Sequence, residues 1–103
     1  MLDFIKNLFG TDKTDYKTLV AQGAIILDVR SSGEFSSGHI SGAINISVDS
    51  LASNLAKLKD KNKVIITCCA SGMRSGAAKS LLESKGYTQV YNGGGWRSLQ
   101  GKL

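Results

Sequence analysis

The chain has 103 residues, 42% of them hydrophobic, which suits one folded domain with a single core rather than a disordered chain. Its net charge of +5 favours small anions in a cleft, but the basic cluster Lys57, Lys59, Lys61 and Lys63 has no interleaved aromatics, so no nucleic-acid partner is expected. The two cysteines are chain neighbours and make a poor disulfide, and no stretch approaches the ~20 apolar residues of a membrane span.

In chain order, Leu2, Ile5, Leu8 and Phe9 sit at helical spacing, which predicts a short amphipathic packing helix over 2–9. The same opening carries Asp3 and Lys6 and no apolar run of signal-sequence length, so a cytoplasmic protein without stable membrane insertion is expected. A polar link, "TDKT", follows. Asp15 can cap a helix over 16–22 that ends near Gly23. "AIILDV" (24–29) is a near-continuous apolar run, the pattern of a strand covered on both faces of a parallel sheet. Ser31 and Glu34 have capping-box spacing and open a short helical turn.

"AINI" (43–46) is a second short strand. Ser47 is expected to cap a helix through about Lys59, with Leu51, Leu55 and Leu58 on one face. "KVIITC" (63–68) is a third buried strand. A helix from about Gly72 to Lys85 places Ala77, Ala78, Leu81 and Leu82 inward and closes at Gly86. "TQVYN" (88–92) is a further strand, followed by a glycine run and a terminal helical turn around Trp96. Strands alternating with helices define an α/β domain with a mostly parallel sheet.

The stretch "TCCASGMRSG" (67–76) lies where a strand ends and a helix begins, the place where open α/β sheets bind ligands. Unpaired amides at a helix start point toward negative charge, and they lower the pKa of a cysteine placed there. Val64, Ile66 and Cys68 share one face of the strand, so Cys68 reads as a small buried hydrophobe beneath a helix. Cys69 could pack in the same way, but the loop setting and a following Arg74 favour a nucleophile. Arg74 would serve the anion if its guanidinium folds back over the loop. His39 reads as a turn or packing residue. As the single histidine it leaves no ligand set for a metal.

At this point the sequence resembles the single-domain rhodanese family. "ILDVRSSGEFSSGHISGAINI" (26–46) is similar to its N-terminal signature, "CASGMRSG" (69–76) to its active loop, and "VYNGGGW" (90–96) to its C-terminal glycine-rich motif. The resemblance implies a rhodanese-like domain over 14–103, preceded by the helix and link of 1–13. It implies a five-stranded, mostly parallel sheet flanked by helices, with a first strand from residues 10–15. It further implies a sulfurtransferase that works without a cofactor. Cys69 would be the nucleophile that takes sulfur from a small anionic donor such as thiosulfate. Ala70, Ser71, Gly72, Met73 and Arg74 would form the cradle. The acceptor would be cyanide, a small thiol or a thioredoxin-like protein, and the chain would act as a monomer. Ser41 and Ser47 stand where the family often has proline, Trp96 follows the glycines closely, and Arg30 with Glu34 resembles a structural ion pair of the family.

Two other functions share the fold. Counted from Cys68 the loop reads C-x5-R, the signature of cysteine-dependent phosphatases, with arsenate reductase as a related activity. Counted from Cys69 it reads C-x4-R, the sulfurtransferase frame. A non-catalytic binding module is the third alternative.

Overall fold

The computed structural model describes residues 14–103. The helix expected over 2–9 and the boundary at residue 13 lie outside the described residues.

Asp15 caps the first described helix, α1 (Tyr16–Ala21), by accepting hydrogen bonds from the Thr18 amide at 3.0 Å and the Thr18 hydroxyl at 2.7 Å. The chain then turns at Gly23, whose φ of +102° lies in the left-handed region. Strand β1 (Ile25–Asp28) follows. Ser31 and Glu34 complete the expected capping box and open α2 (Ser32–Ser36). Strand β2 (Ile44–Asn45) is short, and β3 (Ile65–Cys69) is buried along its whole length. Helix α3 (Met73–Ser84) ends before Gly86, and β4 (Val90–Gly95) runs into α4 (Trp96–Gln100).

The sheet order is β2-β1-β3-β4, and every described pair is parallel. The described sheet therefore has four strands rather than five. Residues 10–13 of the expected first strand lie outside the described residues. Thr14 and Asp15 are not in a strand, because Asp15 is committed to capping α1.

Both faces of the sheet are covered, which is why β1 and β3 are nearly pure apolar runs. On one face Leu27, Val29, Ile65 and Cys69 pack with Leu51, Leu58, Ala78, Leu82 and Tyr87. On the other, Ile26, Ile66 and Cys68 pack with Tyr16 of α1, Ile40 and Leu99 of α4. Fully burying one such aliphatic side chain contributes ~1.5–3 kcal/mol, so these two layers dominate the stability of the fold.

Two expected elements take a different form. The helix from Ser47 to Lys59 is instead a pair of 3-10 segments, Val48–Ser53 and Leu55–Lys57. The Ser47 hydroxyl bonds the Ser50 hydroxyl at 3.1 Å rather than a backbone amide, and the Asn54 side chain bonds the Ser50 carbonyl at 2.8 Å. Side chains that compete in this way for backbone partners disfavour a regular helix. Leu51 and Leu58 are buried nonetheless. In α3, Ala78 and Leu82 point inward as expected, but Ala77 is exposed and Ser75 takes the inward position.

Candidate active site

Cys68 and Cys69 end β3 on opposite faces of the sheet, as the two-residue period of a strand requires. Cys68 is fully buried among Ile26, Ile40, Ile66 and Leu99. Burial, joined by the nearby Asp28 charge and offset in part by Arg30, pushes its thiol up to about 12. At neutral pH Cys68 is a packed, neutral side chain.

Cys69 faces the α3 side, where the loop begins. Gly72, with φ of +108°, bends the loop so that its amide donates to Cys69 Sγ at 2.9 Å. On the other flank the Ser75 hydroxyl lies 3.4 Å from the sulfur. Burial raises the Cys69 thiol, but the Ser75 hydroxyl and the amides of Ser75, Gly72 and Ser71 outweigh it and hold the group below its ordinary 9.0. A nest of amides around one sulfur is an anion-binding geometry.

Ser75 belongs to a further network. Its hydroxyl lies 2.6 Å from Asn92 Oδ1 and 3.0 Å from the Gly72 carbonyl, and the Gly94 amide donates to Asn92 Oδ1 at 2.9 Å. The register of β3 against β4 slips here: Thr67 faces Asn92, yet Cys69 faces Gly95. The irregularity carries the glycine run along the back of the cysteine loop. A Cβ on Gly93 would lie 2.9 Å from Ile66 Cγ2, Leu99 Cδ2 and the Thr67 carbonyl, so no larger residue fits without a shift.

The expected cradle residues divide by role. Ser71 and Gly72 turn amides toward the sulfur; Ala70 and Met73 are exposed, Met73 at 85%. Arg74 is committed to an ion pair. Its guanidinium makes a two-point contact with the Glu34 carboxylate, at 2.7 and 3.0 Å. This replaces the expected Arg30–Glu34 ion pair. Arg30 instead binds Asp28 at 2.7 Å, donates to the Gly38 carbonyl at 2.7 Å and stacks over Trp96 at 4.7 Å. Arg30 and Asp28 are both buried, and such a hydrogen-bonded pair is costly to break from one side, about 3–5 kcal/mol. The family resemblance implied Glu34 as the ion-pair partner of Arg30, but the planar guanidinium meets the Asp28 carboxylate instead, at 3.0, 3.1 and 2.7 Å. The Arg74–Glu34 bond holds the carboxyl at about 2, with the Ser31 amide and hydroxyl assisting.

His39 is exposed; its Nδ1 lies 2.8 Å from the Phe35 carbonyl and its ring stacks on Phe35, the packing role expected of it. Among the described residues no cluster of three metal-ligating side chains occurs, and no helix is long and apolar enough to cross a membrane. The sequence reading missed Ser75 and Asn92. The serine directly after Arg74 and the asparagine opening the glycine run were their only signals.

The rhodanese-like domain family matches residues 12–102. The thiosulfate sulfurtransferase PspE of Escherichia coli is 36% identical over 74 residues, 71% of each chain. The thiosulfate sulfurtransferase GlpE of Pseudomonas savastanoi is 33% identical over 86 residues, 80% of each chain. Among solved structures, a rhodanese with anions from E. coli superposes with a TM-score of 0.70 at 35% identity, covering 74% of this chain and 91% of that one. The human single-domain sulfurtransferase TSTD1 superposes with a TM-score of 0.69 at 31% identity, covering 85% and 91%. With the sheet order, the cysteine loop and the glycine run in place, the chain belongs to the rhodanese-like family.

Proposed function

We propose that the protein is a sulfurtransferase that moves a sulfane sulfur from thiosulfate to a thiol or to cyanide through a Cys69 persulfide. The observation that carries this reading is the Cys69 sulfur held by the Gly72 amide at 2.9 Å with its acidity raised. In the first half-reaction the Cys69 thiolate attacks the outer sulfur of thiosulfate. A sulfur–sulfur bond forms, the bond to the sulfonate sulfur breaks, and sulfite leaves with the electron pair. The amides of Ser71, Gly72 and Ser75 bear on the sulfur anion. In the second half-reaction an acceptor thiolate or cyanide takes the outer sulfur and Cys69 returns as a thiolate. Both halves are redox-neutral overall, and no cofactor is required.

The relatives named as thiosulfate sulfurtransferases support the donor. The phosphatase frame counts from Cys68, which is packed in the core with a thiol at about 12, and this favours the Cys69 frame. A monomer in the cytoplasm suits such a carrier. The test is the mass of the protein after incubation with thiosulfate: a gain of one sulfur, about 32 Da, that cyanide removes supports the mechanism, and no gain at any donor concentration overturns it.

A further inference from the structure

The contact between Arg74 and Glu34 bears on the reacting sulfur as well as on the helices it joins. Arg74 is the sole charged side chain in the stretch 69–75. It stands two residues beyond Gly72, whose amide holds Cys69 Sγ at 2.9 Å. Arg74 and Cys69 feel each other's charge, since a thiolate at Cys69 favours the charged guanidinium. An anion brought to Cys69 therefore enters the field of this arginine.

Glu34 reduces that field. Its carboxylate accepts from Arg74 at 2.7 and 3.0 Å, so a full negative charge sits against the one cation of the stretch. Arg74, with the Ser31 amide and hydroxyl assisting, holds the carboxyl at about 2, and it is ionised throughout the neutral range. The acid is also fixed from behind. The Ser31 amide and hydroxyl donate to it at 3.1 and 3.0 Å, and the buried Arg30 donates to the Glu34 carbonyl at 3.3 Å. Arg74 is thus matched in a set geometry before any donor arrives. A pair this exposed contributes little to stability, so its main consequence is electrostatic. That consequence grows with the charge of the ligand, because Coulomb energy is proportional to it.

We infer that Glu34 determines donor specificity: by matching Arg74 it weakens the hold of the site on doubly charged sulfur donors relative to singly charged ones. The inference rests on the sulfurtransferase reading and deepens its first half-reaction. Thiosulfate carries two negative charges and an organic thiosulfonate carries one. Both react alike at Cys69. The thiolate attacks the outer sulfur, a sulfur–sulfur bond forms, and sulfite or sulfinate leaves with the electron pair. The two donors differ in what they gain from an unmatched Arg74. Glu34 denies that gain to both, and denies more of it to thiosulfate, so the range of usable donors widens toward the thiosulfonates.

The experiment has two arms on the full chain, both at low ionic strength. Glu34→Gln removes the charge and keeps a residue that serves in a capping box, so α2 stays capped. In the first arm kcat/KM is measured for thiosulfate and for methanethiosulfonate. Both should rise in Glu34→Gln, roughly tenfold for thiosulfate and roughly threefold for methanethiosulfonate, a ratio of two in the logarithms that follows from the ligand charges. Added salt should shrink both gains. Ser31→Ala, which loosens the helix start without changing charge, should leave the ratio of the two donors unchanged. In the second arm sulfate and methanesulfonate, which transfer no sulfur, protect Cys69 from alkylation by neutral iodoacetamide. The half-protecting concentration should fall in Glu34→Gln, and fall further for sulfate. Equal gains for both donors, no gain in a folded Glu34→Gln, or the same shift in Ser31→Ala overturns the inference. Failure of the wild type to load sulfur from either donor, with the charge-dependent protection intact, overturns the sulfurtransferase reading instead and leaves a charge-selective anion site at Cys69.

Discussion

Arg74 and Glu34, 40 residues apart in the chain, meet as a two-point ion pair that ties the first turn of α3 to α2. Both side chains are 38% exposed, so the pair orients more than it stabilises. Its acid behaviour follows from the direction of the shift. The Glu34 carboxyl falls from an ordinary 4.5 to about 2 in the folded protein, so the folded state holds fewer protons than the unfolded one in that window. The contribution of Glu34 is complete above 4.5 and is lost as the pH falls toward about 2. Melting curves of the wild type and Glu34→Gln should therefore converge across that window, and high salt should narrow their difference at neutral pH. Parallel pH profiles would show that the pair contributes nothing.

Arg74→Ala should lower kcat/KM for thiosulfate without unfolding the domain. Of the five guanidinium donors, two are engaged by Glu34, and the remainder are free for the sulfonate. With its charge already matched, the expected loss is about 1.5 kcal/mol, roughly tenfold, the lower end for a charge-assisted contact. An unchanged kcat/KM with a normal melting curve would remove Arg74 from the donor site.

Cys69→Ser should abolish sulfur loading, whereas Cys68→Ser should retain at least part of it, because Cys68 lies on the opposite face of the sheet. Aryl phosphates should not be hydrolysed. Mass spectra of both variants after thiosulfate treatment decide the matter. Loading lost with Cys68 and kept with Cys69→Ser would reverse the frame.

The Ser75 hydroxyl has one proton and three polar neighbours: Asn92 Oδ1 at 2.6 Å and the Gly72 carbonyl at 3.0 Å, both acceptors, and the Cys69 sulfur at 3.4 Å. As a thiol the sulfur donates to this hydroxyl; as a thiolate it can receive the proton. Ser75→Ala should therefore move the midpoint of the Cys69 alkylation rate to higher pH, and Asn92→Ala, which frees the proton, should not raise it. A Ser75→Ala midpoint equal to that of the wild type would leave the amides alone responsible for the acidity.

Gly93→Ala should cost about 1–3 kcal/mol in chemical denaturation, because the added methyl would meet the Thr67 carbonyl and two core side chains at 2.9 Å. A change below half that range would mean that β4 shifts without resistance.

Much of the fold was legible because its signals are local. "AIILDV" and "KVIITC" read as two-sided strands from their unbroken apolar character, and Ser31 with Glu34 read as a capping box from spacing alone. The faces of Cys68 and Cys69 followed from the alternation of β3. What escaped depends on contacts between distant segments. Glu34 has Arg30 four residues away in sequence, yet its partner is Arg74, brought near only by the β1–β3 pairing. The Ser75–Asn92 contact likewise exists only because β4 lies beside β3. The 3-10 segments after β2 escaped for a different reason: leucines at helical spacing survive in either geometry, and the serine and asparagine side chains decided between them.

The placement of the two cysteines on opposite faces of β3 also governs how the protein meets oxidants. The chain holds two cysteines in all, and strand alternation directs the second thiol away from Cys69 into the far core layer. A Cys69 sulfenic acid thus has no intramolecular thiol with which to condense. Its repair falls to a thiol arriving from solution. The concentration of that thiol then sets whether oxidative damage to the protein is transient or permanent.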